Sequence, residues 1–179
     1  MEIEYFESSN DYMWRNECAK LIPYLDGVGL DVCCGRRSIF PGDFRVDIDP
    51  KKEPDIVASA MDLPFADCQF DYVYGIHAFE HLSDPIKGLR EWLRVTKPGG
   101  IIALVHPDVD YTKKQKPLSD NPSLQGDIFN KHFFEYNQKE FGKWIKGKEK
   151  FGFKVLDIGI AMDEWSFNVI LRKNKGVSN

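Results

Sequence analysis

Between Gly29 and Pro50 the chain reads GLDVCCGRRSIFPGDFRVDIDP: an apolar run that meets an acid, a tight turn of small residues, and a second apolar run that again ends in acids. Neither run alternates strictly between apolar and polar residues. Each is therefore predicted to be a strand covered on both faces, which implies a parallel sheet flanked by helices. Similar runs follow at Ile56 to Ala58, Phe70 to Tyr74 and Gly100 to Val105. Two longer ones, Phe153 to Ala161 and Trp165 to Arg172, are separated only by Met162, Asp163 and Glu164, so they must pair antiparallel. The expected fold class is α/β, a doubly wound sheet that is parallel until its final hairpin.

Only Arg36 to Asp43 lie between the first loop and the second strand, fewer than the dozen or so residues typical of a parallel crossover. A shortened crossover leaves one sheet face thinly covered. Its expected cover is an amphipathic helix over Asn10 to Leu25 together with Ile39, Phe40 and Pro41 acting as a plug. A second helix is predicted over Pro85 to Val95, opened by the capping residues Ser83 and Asp84 with Pro85 at its first position, and stopped by Lys97-Pro98-Gly99-Gly100. Trp92 falls in its buried stripe with Ile86, Leu89 and Leu93. A last helix is expected over Asn137 to Lys150. From Asp108 to Glu135 the periodicity dissolves, and a structureless insert of that length inside a domain usually carries function, such as a lid.

The 179 residues fit one domain, and a formal charge of −4 provides no basic field for a nucleic-acid backbone. No apolar run approaches the roughly 20 residues that span a bilayer, and the acidic start MEIEYFESSN is unlike a signal peptide. A cytoplasmic location is expected. Cys18, Cys33, Cys34 and Cys68 show no paired CxxC spacing, so neither a zinc framework nor disulfides are indicated.

Doubly wound sheets bind ligands beyond the carboxyl ends of their strands, the edge on which Asp31 and Asp47 are expected. A carboxylate at the end of the second strand can accept from both hydroxyls of a ribose, which suits Asp47 to a nucleoside. Asp31 beside the first loop would repel a pyrophosphate and attract an ammonium or sulfonium.

The stretches LDVCCG, FRVDIDP and DIVASAMDLPFADCQFDYVYGIHAFEHLSDPIKGLREWLRVTKPGGIIALVHPD resemble the class I S-adenosylmethionine-dependent methyltransferases, of the small-molecule type called methyltransferase type 11. The resemblance runs from Gly29 to Asp108 and implies a Rossmann-like sheet of seven strands with S-adenosylmethionine as cofactor. It divides the single domain into an N-terminal helix (1–27), a cofactor-binding core (28–107), a lid-like insert (108–136) and a final helix and hairpin (137–173). Carried over by position, Asp31, Cys33 and Gly35 correspond to the loop around the methionine part, and Asp47 to the ribose-binding acid, with Asp49 a lesser rival. Asp62 and Leu63 match the pair that contacts adenine, and Gly75, Ile76 and His77 the backbone that approaches the methionyl group. Cys33 and Arg37 stand where glycines are common in the family.

Methyl transfer is an in-line displacement, and a base is needed only if the acceptor must lose a proton. His77, following the fourth strand, is the first candidate base and His106, at the end of the fifth, the second. His77, Glu80 and His81 share one face of a helical turn, and some methyltransferases carry a similar Glu-x-x-Glu-His metal motif. Here His77 replaces the first glutamate and no further ligand is evident beyond His106 or His132, so helix-end packing is preferred and no metal is expected. The aromatic segment FNKHFFEYNQ, Phe129 to Gln138, serves equally as a closing lid or as docking for the last helix. The expected function is methyl transfer to an oxygen or nitrogen of a small-molecule acceptor. A nicotinamide oxidoreductase would need the G-x-G-x-x-G that is missing. A cofactor-binding or partner-binding module without turnover is the other alternative.

Overall fold

The structure, a computed structural model, describes residues 16–36, 38–112 and 132–176, with the backbone alone at Thr112. Seven strands form one sheet: β1 (Gly29–Val32), β2 (Phe44–Asp47), β3 (Ile56–Val57), β4 (Phe70–Ile76), β5 (Thr96–Pro107), β6 (Phe153–Met162) and β7 (Ser166–Lys173). Their order is β3-β2-β1-β4-β5-β7-β6. All neighbouring pairs run parallel up to β5, and β7 then pairs antiparallel with both β5 and β6. The strand order reverses at β1, between β2 and β4, which is where a doubly wound sheet opens its ligand crevice.

Beyond the helical residues 16–19, the α-helices among the described residues are α1 (Pro85–Val95), the single turn α2 (Val109–Thr112) and α3 (Gln138–Lys146). Asp84 Oδ1 caps α1 by accepting from the backbone N–H groups of Ile86 and Lys87 at 3.1 and 3.0 Å. Ser83, expected to share that task, turns its hydroxyl toward Met61 Sδ instead. Trp92 is fully buried and donates its indole N–H to the Ala60 carbonyl at 3.0 Å, so its amphipathic tip is satisfied inside the core. The last helix is shorter than predicted. Asn137 caps it by accepting from Glu140 N–H at 2.8 Å, and after Gly147 the chain tightens into a 3-10 turn over Glu149–Phe151.

The Lys97-Pro98-Gly99-Gly100 segment does not separate α1 from a later strand, because β5 begins at Thr96, next to the helix end. Phe70 pairs with Thr96 but Tyr72 pairs with Ile101, so Lys97 to Gly100 bulge out opposite Asp71. Lys97 Nζ anchors the bulge on Asp71 at 2.8 Å. A side chain at Gly100 would place its Cβ 2.5 Å from the Asp71 carbonyl oxygen, and Gly99 takes a φ of +83°. Glycine is required at both positions for these different reasons.

Alternation along each strand divides the core. Leu30, Val32 and Val73 face α1 and α3 together with Leu89, Trp92, Phe141 and Ile145. The opposite face carries Tyr72, Tyr74, Ala103 and Val105, covered by Cys18, Leu21, Leu25 and Ile39. Residues 36 and 38–43 contain no helix. Ile39 closes the gap by donating its N–H to Tyr74 Oη at 3.0 Å, and Phe40 meets Tyr72 edge to face at 6.3 Å. The plug and the N-terminal cover therefore replace a crossover helix. The predicted start of the N-terminal helix at Asn10 lies outside the described residues; residues 16–19 are helical. Among the described residues no helix is long and apolar enough to cross a membrane.

Candidate active site

The loop after β1 is shaped by β2. Cys33 takes a left-handed φ of +57° and Gly35 one of +55°, a conformation that costs a non-glycine residue roughly 1 kcal/mol or more. Asp47 Oδ2 accepts from Gly35 N–H at 2.9 Å, while its Oδ1 accepts from Asp49 N–H, also at 2.9 Å. Arg45 reaches the Gly35 carbonyl at 3.1 Å from the same strand. Beyond its chain neighbours, no atom of the described residues lies within 4 Å of where a Gly35 side chain would point. Each Asp47 oxygen keeps spare acceptor capacity. Asp49 is committed elsewhere: it caps the 3-10 turn Pro50–Lys52 by accepting from Lys51 N–H at 3.0 Å. Burial and the nearby Asp47 and Glu80 carboxylates push the Cys33 thiol far above its usual range, so it is a small neutral lining and not a nucleophile. Arg37 lies outside the described residues.

Asp31 lies on the other face of β1, among Tyr72, Tyr74 and the plug. Its carboxyl is 2% exposed and accepts from Ser38 Oγ at 2.5 Å. Burial raises its pKa to about 8, with the Ser38 and Tyr74 hydroxyls opposing the shift and Asp43 adding to it. The group expected to meet a cation at an open edge is thus enclosed and largely protonated at neutral pH in this conformation. Asp43 is raised in the same sense by burial, and it accepts from Tyr72 Oη at 2.6 Å.

At the end of β4, His77 has a left-handed φ of +50° and donates its backbone N–H to Val105 at 3.0 Å. The ring bridges two carboxylates, with Nε2 2.9 Å from Glu17 Oε1 and Nδ1 3.5 Å from Glu80 Oε1. Glu17 Oε1 also accepts from Ser166 Oγ at 2.6 Å. Burial opposes charge on the ring, but hydrogen bonds to Glu17 and Glu80 and their negative charge outweigh it and lift the pKa to about 10. In this arrangement His77 is held as a cation that donates hydrogen bonds to the two carboxylates. Glu17 and Ser166 carried no sequence signal, since neither belongs to a motif and only the folded chain brings them to β4.

His106 is fully buried. Its Nδ1 lies 2.8 Å from the Pro107 carbonyl, which can only accept, so Nδ1 carries the proton and Nε2 is the free acceptor. That Nε2 has no hydrogen-bond partner among the described residues. Burial lowers its pKa and keeps the ring neutral, but stacking on Phe167 at 5.2 Å and contact with Phe141 at 5.1 Å seal it from the edge. The second candidate base is chemically suited and sterically enclosed.

The remaining expected residues separate. Gly75 makes room for protein: a Cβ there would stand 2.7 Å from the Trp92 ring and 2.9 Å from Ala78 Cβ. Ile76 packs at the border of the tyrosine-bearing core. Asp62 is exposed in a groove beside Ile86, Lys87 and Arg90 of α1. Leu63 is buried, its N–H donating to Glu91 Oε1 at 2.8 Å and its carbonyl accepting from Arg94 at 3.0 Å. The residues that directly follow β3 are Ala58 and Ser59. Counting from the strand end, rather than from the DLPF series, would have singled out Ser59.

A cavity of about 250 Å³ opens between the end of β5, the start of α3 and the β6–β7 turn, with Asp108, Tyr111, Gln138, Met162, Ser166 and Phe167 in its wall. Of the expected lid, residues 113–131 lie outside the described residues. Residues 132–136 dock: Phe134 stacks on Tyr136, Tyr136 packs on Phe141 and Trp144, and its carbonyl accepts from Val109 N–H at 3.1 Å.

The family model described as a methyltransferase domain matches residues 44–104. The demethylmenaquinone methyltransferase of Listeria welshimeri is 32% identical over 160 residues, which cover 74% of this chain and 62% of that protein. The chain thus spans less than two thirds of the length of the curated relatives it matches. A chain from the complex between the Haloferax volcanii Trm112 methyltransferase activator and a methyltransferase superposes with a TM-score of 0.66 at 17% identity, covering 92% of each chain. A SAM-dependent methyltransferase from Methanosarcina mazei superposes with a TM-score of 0.63 at 18% identity, covering 88% of this chain and 98% of its own. S-adenosylmethionine is the cofactor that this family and fold imply, and the spare acceptors of Asp47 beside the open side of Gly35 fit its ribose end. Residues 44–104 thus match a methyltransferase domain, and the fold is the one shared by the class I S-adenosylmethionine-dependent methyltransferases.

Proposed function

We propose that the chain transfers the methyl group of S-adenosylmethionine to an oxygen or nitrogen of a small-molecule acceptor. The observation that carries the reading is the junction of Asp47 with Gly35, which sets a nucleoside-accepting carboxylate against an open loop at the point where strand order reverses. When bound, the cofactor would supply a methyl carried on a sulfonium sulfur, which leaves as a neutral thioether and needs no proton. The chain's own residues then bind, align and exclude water. Asp47 accepts from the ribose hydroxyls, and the backbone from Cys33 to Gly35 borders the methionine part. Glu17 and Glu80 hold the His77 ring in one orientation at the end of β4. The acceptor enters from the side of the cavity at Asp108, Gln138 and Ser166. Small-molecule chemistry accords with the similarity to the demethylmenaquinone methyltransferase of Listeria.

A test follows the label. Protein incubated with methyl-labelled S-adenosylmethionine and a cell extract should pass label into the low-molecular-weight fraction, and Asp47→Ala should reduce that transfer at limiting cofactor. Label recovered only in macromolecules would overturn the small-molecule reading. The enclosure of Asp31 beneath Ser38 favours a second reading, a module that binds without turnover. Calorimetric binding of the demethylated cofactor with no label transfer to any fraction would select it.

A further inference from the structure

We propose that Glu80, His81 and His132 form a binding site for a divalent transition-metal ion of the zinc class. Glu80 and His81 belong to the 3-10 turn Phe79–His81 that follows β4. His132 arrives from a segment laid along that turn, where Phe133 and Phe134 donate their backbone N–H groups to the Glu80 carbonyl at 2.8 and 3.3 Å. One ligand atom from each of the three residues lies within 4.8 Å of the other two. The two imidazole rings meet edge to face, with centroids 4.8 Å apart and planes at 81°.

An independent observation points to a ligand. The Glu80 side chain is 1% exposed, with Oε1 3.5 Å from His77 Nδ1 and 4.0 Å from His81 Nε2, yet its Oε2 has no hydrogen-bond partner among the described residues. An enclosed carboxylate oxygen without a partner is costly, and a cation placed among these three residues would relieve it. Two imidazole nitrogens and one carboxylate make the three-ligand set that holds zinc tetrahedrally with a fourth position open. Nitrogen ligands select against magnesium and calcium. Bonds of about 2.0–2.1 Å in a tetrahedron put ligand atoms about 3.3 Å apart, so the widest pair must close by about 1.5 Å. His132 is exposed, which leaves it free to rotate and gives the ion a path in. His77, 3.5 Å from Glu80 Oε1, would orient the carboxylate as an outer-shell partner. The ion would clip the 132–136 segment to the end of β4, beside the proposed reaction site.

The test uses the full chain without a histidine tag, stripped by chelator and titrated with zinc chloride in a non-coordinating buffer, with metal content measured after gel filtration. One zinc per chain is expected. His81→Ala, His132→Ala and Glu80→Gln should each weaken binding at least about tenfold, as loss of even outer-shell partners does. Millimolar magnesium should not compete. If wild type retains no stoichiometric zinc, if His132→Ala binds as wild type does, or if magnesium displaces zinc, the site is overturned. His132→Ala changes an exposed side chain and keeps the test decisive should Glu80→Gln fail to fold. No cofactor is present in this titration, so its failure would leave the methyl-transfer reading untouched.

Discussion

His77 Nε2 lies 2.9 Å from Glu17 Oε1, a contact between residues 60 positions apart that ties the end of β4 to the N-terminal cover. Truncating the ring removes the cation that lies between two enclosed carboxylates. His77→Ala should therefore destabilise the fold by about 3 to 5 kcal/mol, the usual cost of breaking a buried ion pair from one side. Urea unfolding is the check. A change below about 0.5 kcal/mol, the level of an ordinary surface substitution, would show that the bridge contributes nothing.

Asp47 should govern cofactor affinity. Asp47→Ala is expected to weaken calorimetric binding of the demethylated cofactor by about 1.5 to 3 kcal/mol through loss of charge-assisted hydrogen bonds. Asp49→Ala should shift affinity far less, because Asp49 caps a turn. Equal losses from the two variants would return Asp49 to candidacy.

Asp31 predicts a pH dependence of stability. Its pKa rises on folding from the ordinary 3.8 to about 8, so between those values the folded chain holds a proton that the unfolded chain releases. Stability should fall as pH rises through that window and level off above it. Asp43 adds slope in the same direction. Asp31→Asn keeps an acceptor for Ser38 and should flatten the profile of melting temperature between pH 5 and pH 8; an unchanged slope would refute the assignment.

Gly75→Ala separates packing from ligand approach. The added methyl meets Trp92 at 2.7 Å, and overpacking of this kind typically costs about 1 to 3 kcal/mol. Stability should drop while affinity for the demethylated cofactor holds. The reverse pattern would mean that the glycine serves the cofactor.

Phe133 and Phe134 donate to the Glu80 carbonyl, so their amides should exchange slowly with solvent in the protein without ligand. Hydrogen exchange read by mass spectrometry tests this directly, and rapid exchange at both amides would restore a lid that reaches to Tyr136.

The sheet was legible because its information is local. Five double-faced apolar runs and a three-residue connection between Phe153 and Arg172 dictate a parallel sheet with an antiparallel close, and the short stretch before Phe44 dictates that something other than a helix must cover one face. Pro85 after Asp84 and the apolar stripe through Trp92 determined α1 in the same way. Asp47 was legible too, since a strand end and a following turn define its place. What only the tertiary structure decided depends on meetings across the chain. Asp31 reads as an exposed charge until Ser38, Tyr74 and Ile39 close over it and desolvation changes its protonation. His77 reads as a base until Glu17 arrives from the N-terminal side and Glu80 turns back from the next 3-10 turn, making it a cation. His132 joins Glu80 and His81 only because the chain returns along β4's end. Periodicity records which face a residue takes, whereas charge state and ligand sets depend on which groups from distant elements share that face.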